Sequence, residues 1–378
     1  MKELAAPFLW LGLTAFGGPA AHIAMMEDQF VLRRRWLSRE QFLDMLGATN
    51  LIPGPNSTEM AIHIGHQRRG WRGLVVAGVC FIGPAMMIVL AAAWAYVRFG
   101  SLPQVQGVLY AIKPVIIAIV FQALWRLTPT AVKNVLLGLI GLIGTLGAIW
   151  GLNTLLILFG SGALAAIGAL RNRPPLDARN ASVQAPAWLT FPAIAKRMVA
   201  AAIVVPFSMA GLFLFFLKVG AVLYGSGYVL LAFLQADLVD RLHWLTQSQL
   251  LDAVAVGQVT PGPVFTTATF IGYLLGGTRG ALLATVAIFL PSFLFVAASR
   301  PLIPRIRRSV LAGAFLDGVN VGALALMAAV ILQLGRAAVV DVTTGLVAAL
   351  SVLALLYWRI NSAWLILAAG VAGLAMSA

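Results

Sequence analysis

Apolar runs of about 20 residues, enough to cross a hydrocarbon core, recur along the chain with short polar or basic segments between them. They cover Leu74 to Tyr96, Gly107 to Leu124, Val135 to Trp150, Leu155 to Leu170 and Met198 to Leu223. Four more follow: Ala281 to Ala298, Val310 to Leu332, Val342 to Tyr357 and Ala363 to Met376. The pattern predicts an all-α polytopic membrane protein. Composition agrees, since 61% of the 378 residues are hydrophobic and only 10% charged, against roughly a quarter charged in a globular domain.

Two stretches interrupt the pattern. LIPGPNSTEM (51–60) and VTPGPVFTTA (259–268) each place Pro-Gly-Pro inside an apolar region. Proline removes a backbone donor and breaks a helix, so lipid tolerates such a segment only where protein buries it or it lines a wet cavity. The copies are related by an internal repeat: Pro53 plus 208 is Pro261. Sliding residues 8–55 onto 216–263 pairs Gly12 with Gly220, Gly17 with Gly225, Trp36 with Trp244 and Asp44 with Asp252. Roughly a third of the aligned positions are identical, well above chance for a gapless pairing. One deletion later, Arg72 meets Arg279, Pro84 meets Pro291 and Lys113 meets Asn320. The organisation expected is an N-terminal membrane repeat (1–170), a polar linker (171–195) facing the cytoplasm and a C-terminal membrane repeat (196–378).

Charge then orients the halves. Arg33, Arg34, Arg35, Arg39, Arg68, Arg69 and Arg72 precede the Leu74 to Tyr96 run, and Arg98 follows it. In the second half Arg241 and Arg279 precede the matching run, while Arg300, Arg305, Arg307 and Arg308 follow. By the positive-inside rule, equivalent loops face opposite sides, as in inverted-topology repeats. Basic residues on both flanks of the first Pro-Gly-Pro segment favour a re-entrant hairpin. The expectation is about ten transmembrane helices plus two re-entrant Pro-Gly-Pro hairpins, an odd number of crossings per half; full but broken helices, giving about twelve crossings, are the alternative. The net charge of +14 therefore reads as a topology signal, not a nucleic-acid surface. The N-terminus MKELAAPFLW has neither a basic n-region nor a small-residue cleavage site, so no cleaved signal peptide is expected.

The candidate chemistry gathers at the breaks. A half-helix N-terminus offers free N–H groups and positive dipole potential to an anion. After the first break come Pro53, Gly54, Pro55, Asn56, Ser57 and Thr58, and after the second Pro261, Gly262, Pro263, Thr266 and Thr267. Asn56 and Glu59 have the spacing of a capping box, although an ionised Glu59 would repel an anion. Gly17, Gly18 and Gly225 mark a second paired break, read either as close packing or as N–H groups opened to the same cavity. Lys113, in mid-span, is expensive there unless paired or hydrated. It suits an anion cavity with Asn320, or a salt bridge to Glu59 or Asp317. Asp44 and Asp252 read as helix caps or proton carriers, with caps favoured. His22, His63 and His66 lack the companions of a metal site, and the lone Cys80 forms no internal disulfide. No zinc-protease, Walker, nucleophile-elbow or dinucleotide motif is present. No cofactor and no enzyme activity are expected.

FGGPAAHIAMMEDQFV, RRRWLSREQFLDMLG, IPGPNSTEMAIHIG and GQVTPGPVFTTATFIGY together resemble the chromate ion transporter family over nearly the whole chain, both repeats included. The resemblance implies a multi-pass carrier of the bacterial inner membrane that exports chromate and so confers resistance, with sulfate as competitor. It carries over Gly17, Gly18, Pro19, Pro53, Gly54, Pro55, Lys113, Pro261, Gly262, Pro263 and Asn320 as family positions. The partners implied are a small oxyanion and the bilayer. A homodimer stays open.

Overall fold

The computed structural model describes residues 1–16, 18–171, 206–225, 227–358 and 360–377. Gly17, Ser226 and almost all of the expected linker lie outside these residues, as does the start of the Met198 to Leu223 run. The described chain is helical throughout, without strands. The first half holds α1 (Lys2–Thr14), α2 (Gly18–Glu27, running into a π-type turn at Asp28–Arg33), α3 (Arg39–Thr49), α4 (Asn56–Phe99), α5 (Pro103–Ala131), α6 (Val135–Ile149) and α7 (Thr154–Arg171). The second half repeats the order: α8 (Met209–Val222), α9 (Leu230–Phe233, ending in a π-type turn at Leu234–Arg241), α10 (Gln247–Val259), α11 (Thr267–Arg308), α12 (Val310–Ala338), α13 (Val342–Leu356) and α14 (Ser362–Ser377). Local signals recur in register. Ser38 with Gln41 and Thr246 with Gln249 form capping boxes at α3 and α10, satisfying donors that a helix start leaves open.

The long helices α4 and α11 are each two helices. Arg69 and Gly70 break α4, and Gly276 and Gly277 break α11. The chain reverses there. A methyl group on Gly65 would sit 2.3 Å from the Gly73 carbonyl oxygen, and one on Gly272 would sit 2.4 Å from that of Gly280. Residues eight apart in one straight helix would stand about 12 Å apart. Each Pro-Gly-Pro loop is a tip joining two short helices, α3 to the first segment of α4, and α10 to the first segment of α11. At 11 and 13 residues, α3 and α10 reach only about 17–20 Å along their axes, short of a hydrocarbon core of about 30 Å.

A second fold-back precedes each of these, which the apolar pattern does not reveal. Phe8 of α1 and Phe30 after α2 bring their ring centroids within 4.9 Å, and Lys218 of α8 pairs with Asp237 after α9. The chain doubles back between α1 and α2, and again between α8 and α9. Five described helices are long and apolar enough to cross a membrane: α4, α5, α7, α11 with the 3₁₀ turn before it, and α12. Four shorter apolar helices (α6, α8, α13 and α14) accompany them.

Each half completes the other. α6 and α7 pack on α12, while α13 and α14 pack on α5. Small residues set the separations: Gly318 meets the Ser161 carbonyl and Ala165 side chain of α7, and Gly322 meets Ile157 and Ser161. Rising numbers on α12 thus face falling numbers on α7, an antiparallel pair. Gly141 and Gly144 of α6 face Val321 and Ala325 of α12 in parallel order. The second segments of α4 and α11 also meet across the halves, with Gly78 against the Phe293 ring and Leu74 clustered with Val296.

Candidate functional site

The two tips dock reciprocally. Gly54 N–H donates to the Leu223 carbonyl at 2.8 Å, and Gly262 N–H donates to the Ala15 carbonyl at 2.8 Å. The donors are repeat twins, since 54 plus 208 is 262, and so are the acceptors, since 15 plus 208 is 223. Each Pro-Gly-Pro tip is thus held by the earlier break of the opposite half, which supplies carbonyl oxygens to it. Each glycine also needs the space it occupies. Gly54 has φ +136° and Gly262 φ +91°, conformations that L side chains rarely adopt. A methyl group on Gly262 would lie 2.6 Å from the Ala85 Cβ, and one on Gly54 2.3 Å from Glu59 Oε1.

Around these tips the residues singled out in the sequence have distinct fates. Pro53, Gly54, Pro55, Ser57, Thr58 and Glu59 are buried, and Asn56 is half-buried. Pro55 takes the N-cap position of α4 and offers no side-chain hydrogen bond, so the first-turn N–H groups have no side-chain cap. The expected Asn56–Glu59 capping box does not form. Pro55 displaces the frame by one residue, Asn56 Nδ2 donates to Asn50 Oδ1 at 2.8 Å, and Glu59 turns inward. At the second tip Pro261, Gly262, Pro263, Thr266 and Thr267 are buried. The Thr266 hydroxyl donates to the Pro263 carbonyl and that of Thr267 to the Val264 carbonyl, both at 2.8 Å. Their lone pairs remain, but their protons are committed to the backbone.

Gly18 lies beside the Tyr228 hydroxyl, and Gly225 beside Asn320 Oδ1. These contacts link the earlier breaks to Asn320 and to a tyrosine that the sequence reading did not single out. Lys113 is engaged elsewhere. Its ammonium is 3.0 Å from Asp252 Oδ1 and donates to Ser248 Oγ at 2.8 Å, while Tyr96 donates to Asp252 Oδ2 at 2.8 Å. The salt bridge that stood as the alternative to an anion-cavity role does form, but its partner is Asp252 on α10, not Glu59 or Asp317. Asp317 pairs with Lys133 at 2.6 Å. Nor does Asp252 cap a helix: Thr246 caps α10, and Ser38, not Asp44, caps α3.

Just before α3, the Trp36 ring stacks on Phe30 and has the guanidinium groups of Arg34 and Arg68 5.5 and 5.3 Å from its centre. A cavity of about 220 Å³ opens there, lined by Trp36, Leu37, Gln41, Ile64, Gln67 and Arg68. This cavity lies where the start of α3 meets the end of the first segment of α4, away from the Pro-Gly-Pro tip.

Comparison with known proteins settles the family. The chromate transporter family model matches residues 2–167 and 210–374, one piece in each half. The chain belongs to the chromate transporter family. Within it, the chain is 34% identical over 361 residues to the chromate transport protein of Cupriavidus metallidurans, covering 95% of this chain and 88% of that one. It is 31% identical over 380 residues to the chromate transport protein of Pseudomonas aeruginosa, covering 98% and 91%. An uncharacterized transporter of Methanocaldococcus jannaschii is 25% identical over 336 residues. No solved structure matches. This member of the chromate transporter family is thus a multi-pass membrane transport protein, not an enzyme.

Proposed function

We propose that the chain exports chromate across the bacterial inner membrane as a secondary carrier, and that its two halves are inverted-topology repeats. The observation that carries the reading is the reciprocal docking of Gly54 on Leu223 and Gly262 on Ala15, in a chain similar throughout to chromate transport proteins. Matched backbone breaks serve no purpose in a passive scaffold; in carriers they make a substrate site between repeats. The inversion is supported by helix direction, not by a count of crossings. Successive spans alternate in direction, so α5 runs with α7 and against α12, its own repeat mate, because α12 is antiparallel to α7. Opposed repeat mates are the arrangement that a two-fold axis in the membrane plane produces.

The tetrahedral dianion then sits near the tips, where the first-turn N–H groups after Pro55 and Pro263, with Asn56, Ser57, Thr58 and Asn320, supply donors. Gly18 and Gly225 let the backbone approach closely. Lys113 contributes positive potential from its place beside Asp252. Outward movement of negative charge from an inside-negative cell gains about 2.3 kcal/mol per 100 mV for each net charge moved, so the potential favours export.

Everted vesicles carrying the protein should accumulate radiolabelled chromate when the potential is imposed, with sulfate competing, and cells expressing it should tolerate more chromate. Vesicles indistinguishable from protein-free controls would remove the reading. For topology, reporters fused after Arg72 and after Arg279 should report opposite faces; the same face for both would rule out inversion.

A further inference from the structure

The first tip holds a polar cluster that its twin lacks. Glu59 is fully buried one turn into α4, and neither carboxyl oxygen makes a hydrogen bond of good geometry. Ser292 of α11, from the opposite half, faces it and is equally buried and unsatisfied. The two crowd one point: a methyl group on Gly54 would lie 2.3 Å from Glu59 Oε1 and 2.6 Å from Ser292 Oγ. At the second tip Thr267 stands where Glu59 does, with its hydroxyl bonded to the backbone, and Ala85 stands where Ser292 does.

Among the described residues Glu59 has no ion pair. The groups facing it are Ser292 from α11 and the Tyr224 phenol from the break after α8; His63 follows one turn along its own helix. A carboxylate ion enclosed there would be a charge shut off from bulk solvent and without an ion pair among the described residues, which an apolar interior penalises heavily. The neutral acid fits, with one O–H to give and a hydroxyl to receive it. The carboxyl also lies on the seam between the halves, which must open for an anion to pass.

Resting on the oxyanion-carrier reading above, we propose that Glu59 is a proton-binding site of the transport cycle, taking up one proton with each dianion and releasing it on the far side. The O–H bond forms at a carboxyl oxygen with a proton from water at the open face. It breaks to water at the opposite face, and no electrons move. The ionised acid would repel a dianion at the tip, so proton and anion bind together and travel in one direction. The second tip, with threonine and alanine, carries none.

The test uses full-length protein in proteoliposomes held at zero voltage with potassium and valinomycin. Labelled chromate and labelled sulfate are followed beside an internal pH dye; sulfate serves because it takes up no proton near neutrality. Wild type should move about one proton per anion in the same direction, and a pH gradient alone should drive accumulation. Glu59→Gln should bring the proton-to-anion ratio to zero. Ser292→Ala, which keeps the carboxyl, should retain a ratio of one and shift the pH at which the rate is half-maximal. Should Glu59→Gln carry no anion, dicyclohexylcarbodiimide decides: it should label Glu59 in wild type faster at acid than at alkaline pH, as read by mass spectrometry. Wild-type anion flux without protons, an unchanged ratio in Glu59→Gln, or a Glu59 that resists labelling at every pH would each overturn the inference. No anion flux in wild type under any gradient would remove the carrier reading, and the proton site with it.

Discussion

Replacing Gly262 by alanine should abolish anion transport and sharply lower the yield of folded protein. The backbone there has φ +91°, and the added methyl group would meet the Ala85 Cβ at 2.6 Å. Holding a side chain in such a conformation costs roughly 1–3 kcal/mol, and overpacking the contact adds roughly 1–3 kcal/mol. Relief requires the tip to withdraw from the Ala15 carbonyl, which strands a buried N–H donor and carbonyl. Gly54→Ala should do comparable damage at the other tip, where the methyl group would collide with Glu59 and Ser292. Gly83→Ala is the control, since nothing lies within 4 Å of a Cβ there; it should fold normally. Size-exclusion profiles in detergent, together with anion flux at matched protein levels, read the outcome. Full transport by Gly262→Ala would mean that the docked tips are not part of the transport path.

How much of this was legible in the sequence depends on whether a feature is local. The 208-residue offset named the twins correctly, from the two Pro-Gly-Pro tips to the paired positive-φ positions Arg35 and His243, because twins share local sequence. It could not say which residues touch. Lys113 has Asn320 as its twin but Asp252 as its partner, a contact made by a helix of the other half. The fold-back between α1 and α2 was hidden because both are apolar, and periodicity does not distinguish a hairpin from a kinked span. The capping box at Asn56 failed by one residue, since proline at position 55 takes the cap itself. Ser292 had a signal that the pattern did not bring forward: it follows Pro291, the twin of Pro84, and carries a hydroxyl where its own twin Ala85 carries none.

Breaking the Lys113–Asp252 pair from either side should cost more stability than any other single polar change in the second hairpin. The aspartate side chain is 4% exposed and the lysine 18%, so removing one partner leaves the other charge nearly enclosed. Such losses run to about 3–5 kcal/mol for a buried pair, and the lower end applies because some water reaches Lys113. The pair ties α10 to α5, and through Tyr96 to α4, so its loss should free the arm that carries the second tip. Lys113→Met and Asp252→Leu should each lower the thermal unfolding midpoint markedly. The double variant should recover most of the loss, because two apolar groups replace two matched charges. Tyr96→Phe, which removes one hydrogen bond and no charge, should cost only about 1 kcal/mol. Unfolding monitored in detergent at fixed salt distinguishes these cases. If Lys113→Met is as stable as wild type while Asp252→Leu is not, the lysine does not depend on the aspartate. Its charge would then be held there for the anion.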